Sequence, residues 1–334
     1  MIQEHEIVLY QVEDTNICVN AVFKDETFWM TQKAMAELFD VNVPAISKHL
    51  YNIFEEGELF KEATVSKMEI VQMEGNRKVK REPDFYNLDA IIAVGYRVNS
   101  KKATRFRQWA TKTLKEYITK GFVLNDDMLK NGKPFGKDYF DELLERIREI
   151  RASERRAYQK ITDVFEQCSY DYDKNSDITK AFYAFVQNKL HFAVTGKTAA
   201  ELVYERVNAE KPAMGLTTWK DAPDGKILKR DISVAKNYLN EKELSRLNRL
   251  VTMFIDYAEL MAEDEVLMSM QDWVEQTNQF LRNNRREVLE GKGSVSHDMA
   301  MKKADKEYEI FRVKQDQEYV SEFDREVERY LKGK

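Results

Sequence analysis

A mainly α fold with a small α+β part is what this chain of 334 residues predicts, and three observations carry it. Alternating β-branched runs precede a helical hairpin near the start. A second pair of strands, separated by turn residues, follows that hairpin. From residue 138 onward apolar residues recur with the 3.6-residue period of helices, and strand patterns all but cease.

Taken in order, residues 7–11 and 17–23 alternate apolar and polar positions around an acidic, turn-forming stretch at 13–16, the pattern of a β-hairpin. Residues 30–54 then read as a helix-turn-helix. Ala34, Ala36, Leu38 and Phe39 recur at helical spacing, and Asp40 with Val41 breaks the first helix. Asn42 can cap the second helix through its side-chain oxygen, and Pro44 fits a first turn whose N–H groups need no partner. With Ile46, Leu50 and Ile53 on one face, Val43, Pro44, Ser47, Lys48 and Tyr51 point outward as candidate groove-facing residues.

Residues 66–73 and 78–81, joined around Gly75-Asn76, form a second hairpin, because both turn residues tolerate positive φ. Such a hairpin behind a helix-turn-helix is a wing, and its tip and return strand carry Arg77, Lys78, Lys80 and Arg81. A mostly buried helix over 87–98 comes next, then a longer one capped by Ser100 and ending near Gly121. On the longer helix Phe106, Trp109, Ala110, Thr113 and Tyr117 gather on one side. Lys101, Arg105, Gln108, Lys112 and Lys115 gather on the other, a stripe spanning ~21 Å of axis. The N-terminal domain, residues 1–120, is therefore expected to be winged-helix-turn-helix-like.

The formal charge of -5 advertises no global affinity for nucleic acid. Its distribution does more: residues 1–62 hold 4 Lys+Arg against 12 Asp+Glu, whereas residues 63–120 hold 13 against 6. The acidic surroundings of the helix-turn-helix would repel phosphates, and the next stretch of chain supplies the missing cations. Cys18 and Cys168 are too few for a disulfide framework or a cysteine-rich zinc site. A cytoplasmic protein is expected, since no apolar stretch nears the ~20 residues of a membrane helix and the start lacks a secretory pattern.

The runs Phe28-Trp-Met-Thr-Gln-Lys-Ala-Met-Ala-Glu-Leu-Phe39, Ile46-Ser-Lys-His-Leu-Tyr-Asn-Ile-Phe54, Tyr86-Asn-Leu-Asp-Ala-Ile-Ile-Ala-Val-Gly-Tyr-Arg-Val98 and Phe106-Arg-Gln-Trp-Ala110 resemble the bacterial RhuM family, sometimes labelled virulence proteins. So do Phe185-Val-Gln-Asn-Lys-Leu-His191, Thr195-Gly-Lys-Thr-Ala-Ala-Glu201, Met214-Gly-Leu216 and Ala235-Lys-Asn-Tyr-Leu239, so the resemblance spans nearly the whole chain. More distantly, the N-terminal part is similar to the Bro-N and phage antirepressor-like domains, which bind DNA. The resemblance implies a mobile-element or phage-defence setting and fixes no reaction. Fic or Doc chemistry, attributed to some relatives, needs a Gly-Asn-Gly-Arg loop that does not occur in this sequence.

Residues 121–137, with Asn131-Gly-Lys-Pro-Phe-Gly136, have the composition of a linker, leaving 138–334 as an all-α C-terminal domain for oligomerisation or an effector role. A helix over 138–168 is expected. Leu143, Ile147 and Ile150 follow coiled-coil spacing up to Arg151, so a homodimer through this helix is one expectation and packing within one chain the other. Further helix starts fall at 175–177, at Asn240 with Glu243 as a capping box, at Ser269, and at Ser294 or Ser296, the last helix running to about Leu331. Residues 221–231 form a loop or small hairpin around Asp224-Gly225.

Chemical candidates concentrate near His191-Phe-Ala-Val-Thr-Gly-Lys-Thr198. Its ending imitates a phosphate-binding loop, but His191 stands where the first glycine belongs and a helix precedes it, so Gly196 reads better as a helix end and Thr195 or Thr198 as the next start. A metal-dependent nuclease would use His191 as base or ligand, Lys197 or Arg206 against phosphate charge, and Glu201 with Glu205 to hold magnesium. Each has a structural use too, and His5, His49 and His297 show no metal-ligand spacing. The sequence thus predicts a double-stranded-DNA-binding transcription regulator needing no cofactor. A nucleic-acid-cleaving effector and a helical interaction scaffold are the alternatives.

Overall fold

A computed structural model describes residues 5–12, 15–74, 77–131, 138–173 and 175–319. The chain is mainly helical with a small antiparallel sheet, and it divides into two compact units, Met1–Phe140 and Asp141–Lys334.

The first unit opens with β1 (His5–Val12), β2 (Thr15–Lys24) and β3 (Thr27–Thr31). Sequence reasoning assigned no strand to β3. Asp25 and Glu26 join it to β2 with φ of 53° and 59°, the doubly positive turn of a tight hairpin. Two acidic residues hold positions that usually advertise themselves as Asn-Gly, which hid the turn. Helix α1 (Gln32–Phe39) is capped by Thr31, whose side chain accepts from the Ala34 N–H. Asp40 ends it in the left-handed region at φ 55°, and Asn42 then caps α2 (Val43–Glu55), with Pro44 in the first turn.

After the short α3 (Lys61–Thr64), β4 (Val65–Lys67) and β7 (Asp84–Tyr86) pair antiparallel, and β7 also pairs with β3, giving sheet order β1-β2-β3-β7-β4. Between them β5 (Ile70–Glu74) and β6 (Arg77–Arg81) form a separate two-stranded ribbon. The predicted hairpin is thus broken into a base and a tip. Pro83 lies at the break and has no N–H to give a continuous ladder. The expected turn at Gly75-Asn76 lies outside the described residues.

Helices α4 (Leu88–Arg97) and α5 (Lys101–Lys120) begin at Asn87 and Ser100, each accepting from the N–H three residues on, and α5 ends at Gly121 with φ 83°. Met30, Met35, Phe39, Ile46, Leu50, Ile53, Ile91, Val94 and Phe106 make the core they enclose. Gly95 is required there. A Cβ on it would stand 2.7 Å from the Phe106 ring and 2.9 Å from Phe39, so the closeness of α4 to both rings depends on the missing side chain. Within the expected linker, α6 (Asp126–Asn131) is helical, and residues 132–137 lie outside the described residues.

In the second unit the single helix expected over 138–168 is two, α7 (Phe140–Arg151) and α8 (Glu154–Cys168). The break comes where the heptad spacing fails. Arg151 pairs with Asp256 and Glu259, Ala152 turns into the interior, and Ser153 is extended. Of the expected seam, Leu143 is half-buried whereas Ile147 and Ile150 are exposed. Next come α9 (Asp177–Thr195), α10 (Ala199–Arg206), α11 (Glu241–Glu263), α12 (Met270–Asn283) and α13 (His297–Glu318). Their caps are Ser176, Thr198, Asn240, Ser269 and Ser296, so of the two serines weighed for the last helix Ser296 serves. The expected continuation of α13 to Leu331 lies outside the described residues.

Two short 3₁₀ turns, Pro212–Gly215 and Ala235–Tyr238, were not anticipated. One core gathers Phe165, Phe182, Phe254, Trp273 and Phe280 between α8, α9, α11 and α12. A second seats α13 on α10, with Ala300 and Ala304 packed among Val203, Met214 and Tyr238. Among the described residues no helix is long and apolar enough to cross a membrane.

Candidate nucleic-acid interface

Because Ile46, Leu50 and Ile53 go into the core, Val43, Pro44, Ser47, Lys48 and Tyr51 are all exposed along the outer face of α2. Ser47 is not an idle donor. Its hydroxyl donates to Gln32 Oε1, and Gln32 Nε2 donates to the Tyr86 hydroxyl at 2.7 Å, fastening α2 to α1 and β7. Nor is the acidic rim as repulsive as its sequence implies. Arg97 pairs with both Glu56 and Glu58 at the end of α2, and hydrogen bonding from Arg97 holds the Glu56 carboxyl below its usual range. Some forty positions separate these partners, so no local spacing revealed them.

On the ribbon, Lys80 lies 2.6 Å from Glu69, and that bond raises the lysine above its ordinary value. Part of its charge is therefore spoken for. Arg81 is exposed. Arg77 and Lys78 lie on β6, but their side chains fall outside the described residues.

Helix α5 carries the expected stripe. Lys101, Arg105, Lys112 and Lys115 are exposed. Among the described residues, the ion pair on this helix joins Lys120 to Glu116 at 2.6 Å, and none of the four stripe cations has a carboxylate within salt-bridge distance. The apolar side needs correction. Ala103 and Phe106 are buried, and Trp109, Ala110 and Thr113 are half-buried, but Tyr117 is exposed, as are Leu114 and Ile118. The core supports only the first part of α5; beyond Thr113 the helix outruns it. Arg107, given no role by its spacing, donates to the Gly95 and Val98 carbonyls at 3.0 and 2.9 Å and closes the end of α4.

The chemical candidates of the second unit do not assemble into one site. Gly196 ends α9 at φ 72° and Thr198 begins α10 in a reciprocal capping box with Glu201. Glu201 also accepts from the Ser294 N–H and hydroxyl at 2.7 and 2.6 Å. Burial pushes this carboxyl up, but the bonds from Ser294 and Thr198 outweigh it and bring it down to about 2. Lys197 pairs with Glu205. Arg206 binds Glu243 with both guanidinium nitrogens, at 2.6 and 2.7 Å, and the Tyr238 carbonyl at 2.7 Å. Among the described residues, no three His, Cys, Asp or Glu side chains converge as a metal site.

His191 stands apart from these. It is 3 % exposed, and among the described residues its Nδ1 has no hydrogen-bond partner. Burial first, and the Lys236 charge second, lower its imidazole to about 4. A depressed histidine stabilises the fold above its unfolded value of 6.5, and that contribution is lost as pH falls through 4, because the unfolded chain takes up the proton first. Between pH 7 and 5 the loss is expected to be about 2 kcal/mol. Urea unfolding at the two pH values checks it: His191→Gln should flatten the difference, and an unchanged difference would refute the assignment.

Sequence spacing overlooked a broad groove in this unit. About 600 Å³ in volume, it is lined by Lys242, Arg246 and Arg249 along α11 and by Arg286, with Glu241 at one end. The cations follow helical spacing, but Arg286 joins them only through the fold, and Arg249 is shared with Glu145 at 3.1 Å.

The model of the Virulence protein RhuM family matches residues 63–320, more than three quarters of the chain, beginning after α2 and taking in the ribbon, α5 and most of the second unit. No curated protein matches the chain.

Proposed function

The chain belongs to the Virulence protein RhuM family, and from that premise we propose that it is a DNA-binding regulator. In this reading the first unit acts as a winged-helix-turn-helix-like module, similar to Bro-N domains. The outer face of α2 enters a groove through Val43, Pro44, Lys48 and Tyr51. The ribbon and α5 hold phosphates. Pairing of two copies through the exposed Ile147 and Ile150 of α7 would match the two-fold half-sites that many helix-turn-helix proteins read. A mobile-element or phage-defence role in the cytoplasm is the setting we favour.

The observation that carries the reading is the α5 stripe. Lys101, Arg105, Lys112 and Lys115 keep four exposed cations on one helix, in the same unit as the helical hairpin. If each neutralises one phosphate, together they contribute roughly 3.6 to the slope of log affinity against log salt.

A labelled duplex titrated across a salt series, with and without magnesium, tests this. Steep weakening with salt, intact strands and two chains per duplex are expected. Absence of binding even at low salt would sink the proposal, and magnesium-dependent cleavage would transfer the function to the nuclease alternative.

A further inference from the structure

The groove along the first half of α11 combines two kinds of surface. At ~100° per residue Lys242, Arg246, Arg249 and Met253 fall within a narrow arc, a stripe of ~16 Å. Its early part is cationic. Further on Leu250 and Met253 make the lining apolar, with Leu250 buried and Met253 40 % exposed. The opposite side comes from the end of α12. Tyr257 bonds Gln276 at 2.6 Å and the Phe254 ring meets that of Phe280, so α12 runs back along α11 and carries Asn284 and Arg286 to the groove. Arg285 then takes φ 56°, and the Arg286 N–H donates to the Leu281 carbonyl at 2.9 Å, a helix ending that glycine usually provides. Backbone bonds hold this turn, and the Arg286 side chain is not spent on it.

The other cations are largely unspent as well. Lys242, Arg246 and Arg286 are exposed, and among the described residues none has an ion-pair or hydrogen-bond partner for its side chain. Arg249 is shared with Glu145, which also accepts from Arg148 at 2.6 Å and from Ser245 at 3.1 Å. Four cations thus meet one lining carboxylate, Glu241, in a chain whose net charge is -5. Like charges gathered in one groove repel, and a bound polyanion removes that repulsion. Size and lining narrow the guest. The volume of about 600 Å³ lies within the ~300–1,000 Å³ of small-ligand sites. A groove for a nucleic-acid strand pairs a continuous cationic track with aromatic platforms. Here the α11 cations stop at Arg249, and the lining has no aromatic residue.

We propose that this groove is a binding site for a nucleoside polyphosphate, its phosphates held by Lys242, Arg246 and Arg286 and its base laid against Leu250 and Met253. The forked donors of arginine suit phosphate oxygens, and the Met253 thioether suits the edge of an aromatic ring. The site lies wholly in the second unit and goes beyond DNA binding by the first.

The full chain, with no duplex present, is titrated with ATP, tripolyphosphate and adenosine, following heat release and the unfolding midpoint. A short single-stranded oligonucleotide is added as a competitor of bound ATP. ATP is expected to bind saturably and to raise the midpoint, since a ligand bound to the folded state stabilises it. Tripolyphosphate, lacking the base, should bind about tenfold more weakly, and adenosine more weakly still. Arg246→Ala or Arg286→Ala is expected to weaken ATP about tenfold, the loss of one charged hydrogen bond. Met253→Ala should weaken ATP about threefold and spare tripolyphosphate. Both arginines are exposed, so without ligand the midpoints of their variants should stay within a degree or two of the parent. No saturable response to ATP, equal affinity for ATP and tripolyphosphate, or unchanged ATP affinity in either arginine variant would overturn the proposal. So would displacement of ATP by the oligonucleotide at concentrations below those at which ATP itself binds, which would assign the groove to a strand. None of these outcomes depends on whether the first unit binds DNA.

Discussion

Replacing Lys112 and Lys115 together by glutamate is expected to weaken duplex binding roughly tenfold at low salt and to flatten its salt dependence by about 1.8 in log–log slope. Both side chains are exposed on α5, and neither has a carboxylate within salt-bridge distance among the described residues, so their charge is available to a phosphate. The replacements touch no core residue, since the buried side of α5 is Ala103 and Phe106. Unfolding temperature should stay within a degree or two, which separates lost contact from lost fold. The weakening should be uniform across DNA sequences, because phosphate contacts carry no base information. Lys48→Ala, by contrast, should change which sequences are preferred. An unchanged salt slope in the double variant would remove α5 from the interface, and with it the main support for the proposed function.

Arg206→Ala is expected to cost about 3 kcal/mol, a larger stability loss than any surface change described above. Its guanidinium bridges Glu243 at 2.6 and 2.7 Å and the Tyr238 carbonyl at 2.7 Å, tying α10 to the start of α11. Glu243 is only 18 % exposed and also completes the capping box with Asn240, so removing its partner strands a partly buried carboxylate at a helix start. For a unit of this size the midpoint should fall by roughly 6–12 °C. Glu243→Gln should cost less, because the amide oxygen can still accept from the Asn240 N–H and from Arg206, whose cation also keeps the Tyr238 carbonyl. A phosphate-binding arginine would behave oppositely, its loss sparing the fold and abolishing activity. Thermal unfolding of the two variants decides between these roles, and an unmoved midpoint in Arg206→Ala would restore Arg206 as a chemical candidate.

Much of the fold was legible because the signals that specify it act within a few residues. Thr198, Asn240 and Ser269 cap helices by reaching N–H groups three positions on, and the positions of Gly121 and Gly196 follow from a left-handed φ that few other residues adopt without strain. The strand β3 escaped because its turn uses Asp25 and Glu26 in place of the residues that mark such turns. The division into α7 and α8 escaped because Arg151 is claimed by Asp256 and Glu259, a hundred residues on.

The candidate sites divide in the same way. Exposure of the α2 face and the α5 cations followed from periodicity, since a helix that buries one stripe must expose the other. Their electrostatics did not follow. Arg97 neutralises Glu56 and Glu58, Glu69 takes up Lys80, and Glu201 accepts from the N–H and hydroxyl of Ser294.

By itself, then, the sequence determined the helices and their caps, the helical hairpin, the paired strands around residue 75 and the α5 stripe, because each is set by neighbours within a turn or two of the chain. Only the tertiary structure decided which charges remain open, where the apolar face of α5 loses its support, and that Arg286 joins the α11 cations at one groove. Those outcomes depend on partners that folding brings together from tens to a hundred residues away, and no local pattern encodes them.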